Sequence, residues 1–402
     1  EYSVMAYRNT GTFIIRRTDE VMELLDDHIV ATQAMGFSPY KAVFEERIDQ
    51  WGEHLRLVQD ITTDWLAVQK NWMYLQPIFE SEDIMRQLPT EGKRFREVDR
   101  GYRKMLSDAN KKPNVLDFCK DESLLEFLRK SNDSLEFVQK NLNDYLETKR
   151  AAFARFYFLS NDELINILSQ TKDPLAVQPH LKKCFEAIAK LQFEKKESAR
   201  ALPKMSGMYS GEKEYVEFSD GLFPEGDVEY WLGDVEKMMQ RSVRDQMKLC
   251  IDAYDGGMGQ GPTSGRCKWV LEWPGMCILQ SSQVYWTRDL AHKIDTQGLA
   301  GIKEFLEIAI TQLKDLTALV RTKLTKLGKK TMGALLVMEV HARDMVTRFI
   351  DKGVESQADF EWLSQLRYYW YDEIIPTSPG LDSSGLMAKM CQCVYPYGYE
   401  YL

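Results

Sequence analysis

The sequence predicts a mainly α-helical chain of consecutive antiparallel helical bundles with one small β-hairpin. Three observations carry this expectation. Apolar residues recur at alternating spacings of three and four over several long stretches, which places them on one face of a helix. Ser, Thr, Asp, Pro and Gly punctuate those stretches where helices start and stop. The one marked exception is Lys204 to Ser219, where two runs of strand-forming residues flank a Ser210-Gly211 turn signal.

Residues 1 to 16 read as extended, with Gly11 to Ile15 a strand. Thr18-Asp19-Glu20 opens a helix by cap and acidic first turn, lined by Val21, Leu24, Leu25, Ile29 and Met35 until Gly36. Ser38-Pro39 starts the next helix, whose stripe runs Phe44, Ile48, Trp51, Leu55, Val58, Ile61, Trp65, Val68, Trp72 and Leu75 to Pro77. At about 1.5 Å per residue it is on the order of 55 Å long. A capped segment from Ser81 to Leu88 leads to a helix around Gly92 to Leu106, and Leu124 to Tyr145 marks another long stripe. Between Arg155 and Phe193 the chain turns a corner. Ser160 and Glu163 have capping-box spacing for a helix from Asn161. Asp173-Pro174 and Gln178-Pro179 restart the chain, and Leu181, Cys184, Phe185, Ile188 and Leu191 suggest a third short helix.

Beyond the hairpin, Asp227 caps a long helix carrying Val228, Trp231, Leu232, Val235, Met239, Val243, Met247 and Cys250. Gly256 to Gly265 is an exposed, flexible loop. A short helix follows from Lys268 to Trp273, and a further helix runs from about Met276 to Ile294. Leu299 to Lys326 and Thr331 to Ile350 form an antiparallel helical hairpin broken at Gly328. Phe360 to Trp370 reads as helix, and Pro376 to Tyr401 as loop with extended pieces.

The composition narrows the function. A net charge of -9 argues against nucleic acid or an anionic membrane as the main partner. Seven scattered cysteines without a CxxC pair fit neither a disulfide framework nor a zinc site, so a reducing compartment is expected. No apolar run reaches the roughly 18 residues of a membrane span. The N-terminus EYSVMAYRNT has no signal-peptide layout and no initiator Met, as expected of a piece of a longer protein. Gly328-Lys329-Lys330-Thr331 lacks the first glycine of a phosphate loop and has Lys330 where Ser or Thr is needed. Gly257, Gly259 and Gly261 follow a helix where a dinucleotide site requires a strand. His28, His54, His180, His292 and His341 lack metal-ligand spacing. The acidic cluster Glu20 to Asp27 is a solvated helix face, and Trp51, Trp65 and Trp72 keep the helical period of a core. No nucleophile, base and oxyanion site assemble, so no enzyme, cofactor or metal is expected in this chain.

Several long, collinear stretches closely resemble the linker region of dynein heavy chains, N-terminal to the first AAA+ module. They are LLDDHIVATQAM (24–35), WMYLQPIFESEDIMRQLP (72–89), residues 155–193, WPG (273–275), QVYWT (283–287), VHARD (340–344) and the terminal YGYEYL. LDDHIVATQAM and YGYEYL are closer to axonemal than to cytoplasmic heavy chains. The resemblance implies an elongated, curved rod that arches across the AAA+ ring of the same heavy chain. ATP hydrolysis drives its bending and straightening, which is the power stroke along the microtubule. ATP and Mg would be bound in the AAA+ modules, beyond Leu402. The implied partners are that ring, the microtubule through the full-length motor, and an upstream tail with intermediate and light chains. No nucleic acid or membrane is implied, and the implied location is the cytoplasmic cytoskeleton, in a ciliary or flagellar axoneme.

On that basis residues 1–200 are expected to be the tail-proximal, ring-docking bundles and 201–226 the hairpin and hinge. Residues 227–394 would be the C-terminal bundles and 395–402 the approach to the first module. The hinge candidates are Pro203, Gly207, Gly211, Gly221, Pro224 and Gly226, because hinges are usually a few loop residues that absorb dihedral change. The corner at 155–193 would act as a rigid shoulder before them. Phe13, Arg16 and Arg17 are the candidates for docking on the ring. The rival class is a static helical scaffold or tethering rod, which would share the composition and helix content.

Overall fold

The computed structural model describes residues 1–169, 173–194, 202–378 and 380–402. The fold is mainly α, and the chain divides into two compact units, Glu1–Lys172 and Asp173–Leu402.

The first unit opens with an antiparallel hairpin of β1 (Ser3–Tyr7) and β2 (Thr12–Arg16), where one strand is predicted. Its helices are α1 (Thr18–Gly36), α2 (Glu45–Phe79), α3 (Glu82–Gln87), α4 (Pro89–Lys111), α5 (Val115–Phe118), α6 (Glu122–Ala152) and α7 (Asn161–Leu168). The apolar stripe of α2 is buried from Leu55 through Leu75, while Phe44 and Trp51 at its start are exposed. Tyr102 and Leu106 of α4 and Leu128, Leu135, Val138 and Leu142 of α6 are buried with it, and α6 packs along both α2 and α4. The strands are clamped to this bundle by aromatic and polar contacts. Tyr2 and Tyr7 meet Trp65 and Trp72 edge to face at 5.0 and 5.7 Å, and the Gln69 amide bonds both the N–H and the C=O of Ile15 at 2.9 Å. Ser160 and Glu163 form the predicted capping box on α7.

The second unit begins with a 3-10 turn at Pro174–His180, capped by the Asp173 side chain, and α8 (Leu181–Cys184). The predicted third helix of the corner ends there. Ile188–Phe193 is β3, and it joins β4 (Met205–Ser210) and β5 (Tyr215–Leu222) in an antiparallel sheet of order β3-β4-β5. A register shift between Ile188 and Lys190 explains the misleading pattern. An extra residue in a strand turns both Ile188 and Leu191 inward, reproducing a helical spacing of three.

α9 (Val228–Asp252) follows as expected, whereas α10 (Gly265–Trp269) starts before the predicted Lys268 and ends before Trp273. The two helices predicted on either side of residue 298 are both present as the two arms of α11 (Gly275–Val320), separated by Gly298, whose φ 55° and ψ -136° are not helical. That backbone favours glycine, and Gly301 is equally restricted because a Cβ there would lie 2.3 Å from the Lys293 carbonyl oxygen. α11 stops at Val320 rather than near Lys326. The break is Arg321–Thr325 and not Gly328, which sits in the first turn of α12 (Lys326–Lys352) and donates its N–H to the Thr325 cap at 3.0 Å. α11 and α12 pack together, and Leu290, Ile294, Ile302, Phe305, Val346, Phe349 and Trp362 form a shared core.

The predicted helix from Phe360 to Trp370 is only α13 (Phe360–Leu363). Arg367–Pro376 is β6, paired antiparallel with β7 (Asp382–Met390), which pairs with β8 (Cys393–Pro396). RYYWYDEII is dense in aromatic and β-branched residues, which fit a pleated surface better than a helix. The described residues thus hold three small sheets where the sequence predicts one hairpin.

Candidate functional site

One polar junction of the second unit is a carboxylate in a tight turn. Ser210 ends β4 and its hydroxyl accepts from Glu212 N at 3.2 Å and Glu214 N at 3.1 Å. Lys213 adopts φ 70° to close the turn. This geometry presents Glu214 to two distant partners. Gly275 N, at the start of α11, donates to one oxygen at 2.8 Å, and the Tyr401 hydroxyl donates to the other at 2.6 Å. A carboxylate at a helix N-terminus is favoured by the unpaired amides and the helix dipole. Tyr401 is 1% exposed. Burial, and then the Glu214 charge, push its hydroxyl well above the ordinary tyrosine range, so it stays a donor at neutral pH.

The same sheet is tied to α9. Ser219 donates its N–H to Ser242 Oγ at 2.9 Å and its hydroxyl to Asp245 at 2.7 Å, and Asp220 pairs with Arg241 at 2.7 Å. Glu212 at the turn pairs with Lys330 of α12 at 2.9 Å.

A second polar knot lies beside a cavity of about 260 Å³ lined by Tyr285, Trp286 and Phe305. The buried guanidinium of Arg266 pairs with Glu339 and donates to the Tyr254 hydroxyl at 2.6 Å. Burial opposes its charge, but Glu339 and the Tyr254 hydroxyl together more than offset that, so its pKa is raised. The glycine loop is not loose. Gly259 N and Gly261 N both donate to the Asp315 carboxylate of α11, at 2.6 and 2.9 Å.

The hinge candidates divide into two kinds. Pro203, Gly207 and Pro224 are buried, and a Cβ on Gly207 would lie 2.6 Å from the Tyr215 ring. A Cβ on Gly221 would meet the Lys204 side chain at 2.0 Å. Gly211 and Gly226 have open space instead, and Gly226 has φ 76°. Among the docking candidates, Phe13 is half-buried in β2, while Arg16 and Arg17 are exposed. Arg17 holds φ 53° at the N-cap of α1. Among the described residues no group of three His, Cys, Asp or Glu side chains is placed to hold a metal.

Sequence reasoning finds the Ser210 turn but not the Glu214 bonds, which join residues 61 and 187 positions apart. It also passes over an open apolar groove of about 660 Å³ between the end of α1 and the start of α2, lined by Met35, Tyr40, Phe44, Ile48 and Trp51. The exposed start of the α2 stripe is the sequence signal that corresponds to it.

These features describe a helical framework whose specific polar chemistry is directed at holding its own elements together. The family described as "Dynein heavy chain, N-terminal region 2" matches residues 1–250. The chain is 46% identical over 401 residues to dynein axonemal heavy chain 1 of Rattus norvegicus. It is 43% identical over 404 residues to dynein axonemal heavy chain 12 of the same species. To dynein axonemal heavy chain 3 of Homo sapiens it is 41% identical over 404 residues. Each match covers all of this chain but only 8%, 12% and 9% of those relatives, in that order. The chain belongs to the dynein heavy chain family, and these relatives are axonemal, as LDDHIVATQAM and YGYEYL suggest.

Proposed function

We propose that this chain is the linker of an axonemal dynein, the lever that bends and straightens across the AAA+ ring. ATP and Mg bind, and hydrolysis occurs, in the AAA+ modules of the longer heavy chain; this segment performs neither step. The observation that carries the proposal is the collinear similarity of the whole chain to three axonemal heavy chains. Its partners are then that ring and, through the complete motor, the microtubule, with an upstream tail joined to intermediate and light chains. Its location is the ciliary or flagellar axoneme.

Close-packed helices resist bending, so stiffness is assigned to α2, α4 and α6 and to the α11–α12 hairpin. Within the 201–226 segment, dihedral change is assigned to Gly211 and Gly226, the two glycines with open space around them. Arg16 and Arg17 are assigned to reversible docking, with Phe13 beside them.

The test is a pair of fluorophores on α2 and α12 in a full-length motor. Their transfer efficiency changes between nucleotide states if the chain is a lever. One constant value would favour the static scaffold. Charge reversal at Arg16 and Arg17 lowers gliding velocity, and unchanged velocity would remove them from the docking set.

A further inference from the structure

The phosphate-loop-like stretch GKKT has another property, visible only with its neighbours in place. Residues 321–330, RTKLTKLGKK, carry Arg321, Lys323, Lys326, Lys329 and Lys330 and no acidic residue, in a chain of net charge -9. All five cations are exposed at the tip of the α11–α12 hairpin. Lys330 is paired with Glu212. Among the described residues, no carboxylate lies within ion-pair distance of the other four.

The arrangement is unfavourable in isolation. Lys326 and Lys329 occupy the first turn of α12, with Lys330 just after it, where the helix dipole is positive and acidic residues are preferred. They also repel one another at spacings of three and four. Thr325 already occupies one open amide of that turn, since its hydroxyl accepts from Gly328 N. The charge is therefore spread over ten residues rather than focused on a single phosphate cradle. Four of the five cations are lysines, which act as mobile point charges and not as bidentate clamps. The intervening side chains are Thr322, Leu324, Thr325 and Leu327, with both leucines half-buried, so the tip has no exposed apolar anchor of the kind a membrane-surface segment uses.

We propose that the α11–α12 tip is a docking surface for an acidic polypeptide segment, whose carboxylates neutralise Arg321, Lys323, Lys326 and Lys329. The experiment uses the 402-residue chain and a fluorescent polyglutamate peptide, with binding read by anisotropy over a salt series. The combined variant R321E/K323E/K326E/K329E weakens binding by about tenfold or more at low salt and flattens the salt dependence. K93E/R96E, on the exposed basic face of α4, leaves it unchanged. Because the reversals place acid at a helix N-terminus, the tip variant also melts no lower than the parent. Equal peptide binding by the tip variant and the parent would overturn the proposal, as would equal loss from the α4 variant. Tighter binding to phosphatidylserine vesicles than to the peptide, lost in the same tip variant, would also overturn it and assign the tip to a lipid surface.

Discussion

The two units close themselves by different physical means. In residues 1–172 the dominant device is an apolar stripe, with Trp65 and Trp72 at 0% exposure on one helix and two strands laid against it by aromatic contacts and the Gln69 amide. In residues 173–402 an apolar core is also present, but the ends of distant elements meet on polar groups: Glu214 on Gly275 and Tyr401, Asp315 on the glycine loop, and Arg266 on Glu339. Apolar burial is non-directional and tolerates small shifts, whereas a shared carboxylate fixes direction and fails when one partner is lost. The first device suits long helices packed side by side, and the second suits a junction where the ends of several elements must keep one defined arrangement.

The largest expected effect tests the stripe. Trp72 is fully buried, packs on Tyr7 and Tyr102, and donates its indole N–H to Asp99 at 2.8 Å. Trp72→Ala should cost about 3–5 kcal/mol, as truncation of a large buried aromatic usually does. Chemical denaturation measures the loss, and hydrogen exchange should localise it to residues 1–169. Uniform loss of protection over both units would mean that the two are not separately held.

Glu214→Ala is expected to cost less, about 2–3 kcal/mol, because it strands the Gly275 amide and the buried Tyr401 hydroxyl. Exchange should rise at the β4–β5 turn, at the first turn of α11 and at residues 395–402 together. Tyr401→Phe removes one of the two bonds and should cost about 1 kcal/mol. If Glu214→Ala matched Trp72→Ala in magnitude, the contrast between the two devices would collapse.

That contrast also separates what is legible in the sequence from what is not. The stripe of α2, the capping box at Ser160 and Glu163, and the Ser210-Gly211 turn depend on residues within one helix or one turn, and each can be read from local spacing. β3 and β6 depend on partners far along the chain. A bulge gave Ile188 and Leu191 a helical spacing, and the aromatic run at 368–371 is ambiguous until β7 lies beside it. Gly328 illustrates a different limit. Glycine permits a break without compelling one, and Thr325, three residues earlier, supplies the cap that starts α12. The Glu214 bonds are invisible to any local window, since nothing in the sequence places Tyr401 beside the turn.

The smallest effect compares one carboxylate from each unit that accepts from nearby backbone amides. Asp359 accepts from Glu355 N at 2.8 Å and Ser356 N at 3.0 Å, and these backbone bonds hold its carboxyl below the ordinary range. Asp121, at the N-cap of α6, accepts from Ser123 N at 2.9 Å and is also lowered, through its bonds to Ser123. A carboxylate with a depressed folded pKa contributes stability above its unfolded value, about 4, and loses it as pH falls through the folded pKa. Asp121→Asn and Asp359→Asn should therefore each lower the melting temperature slightly at pH 7 and leave it nearly unchanged in strong acid, so that its dependence on pH below about 4 is reduced. The Asp359 variant should show the larger reduction, because two backbone donors from different residues lose a charged acceptor there. An equal response would mean that the loop before α13 is held by the burial of Val354 and Trp362 and not by the Asp359 carboxylate.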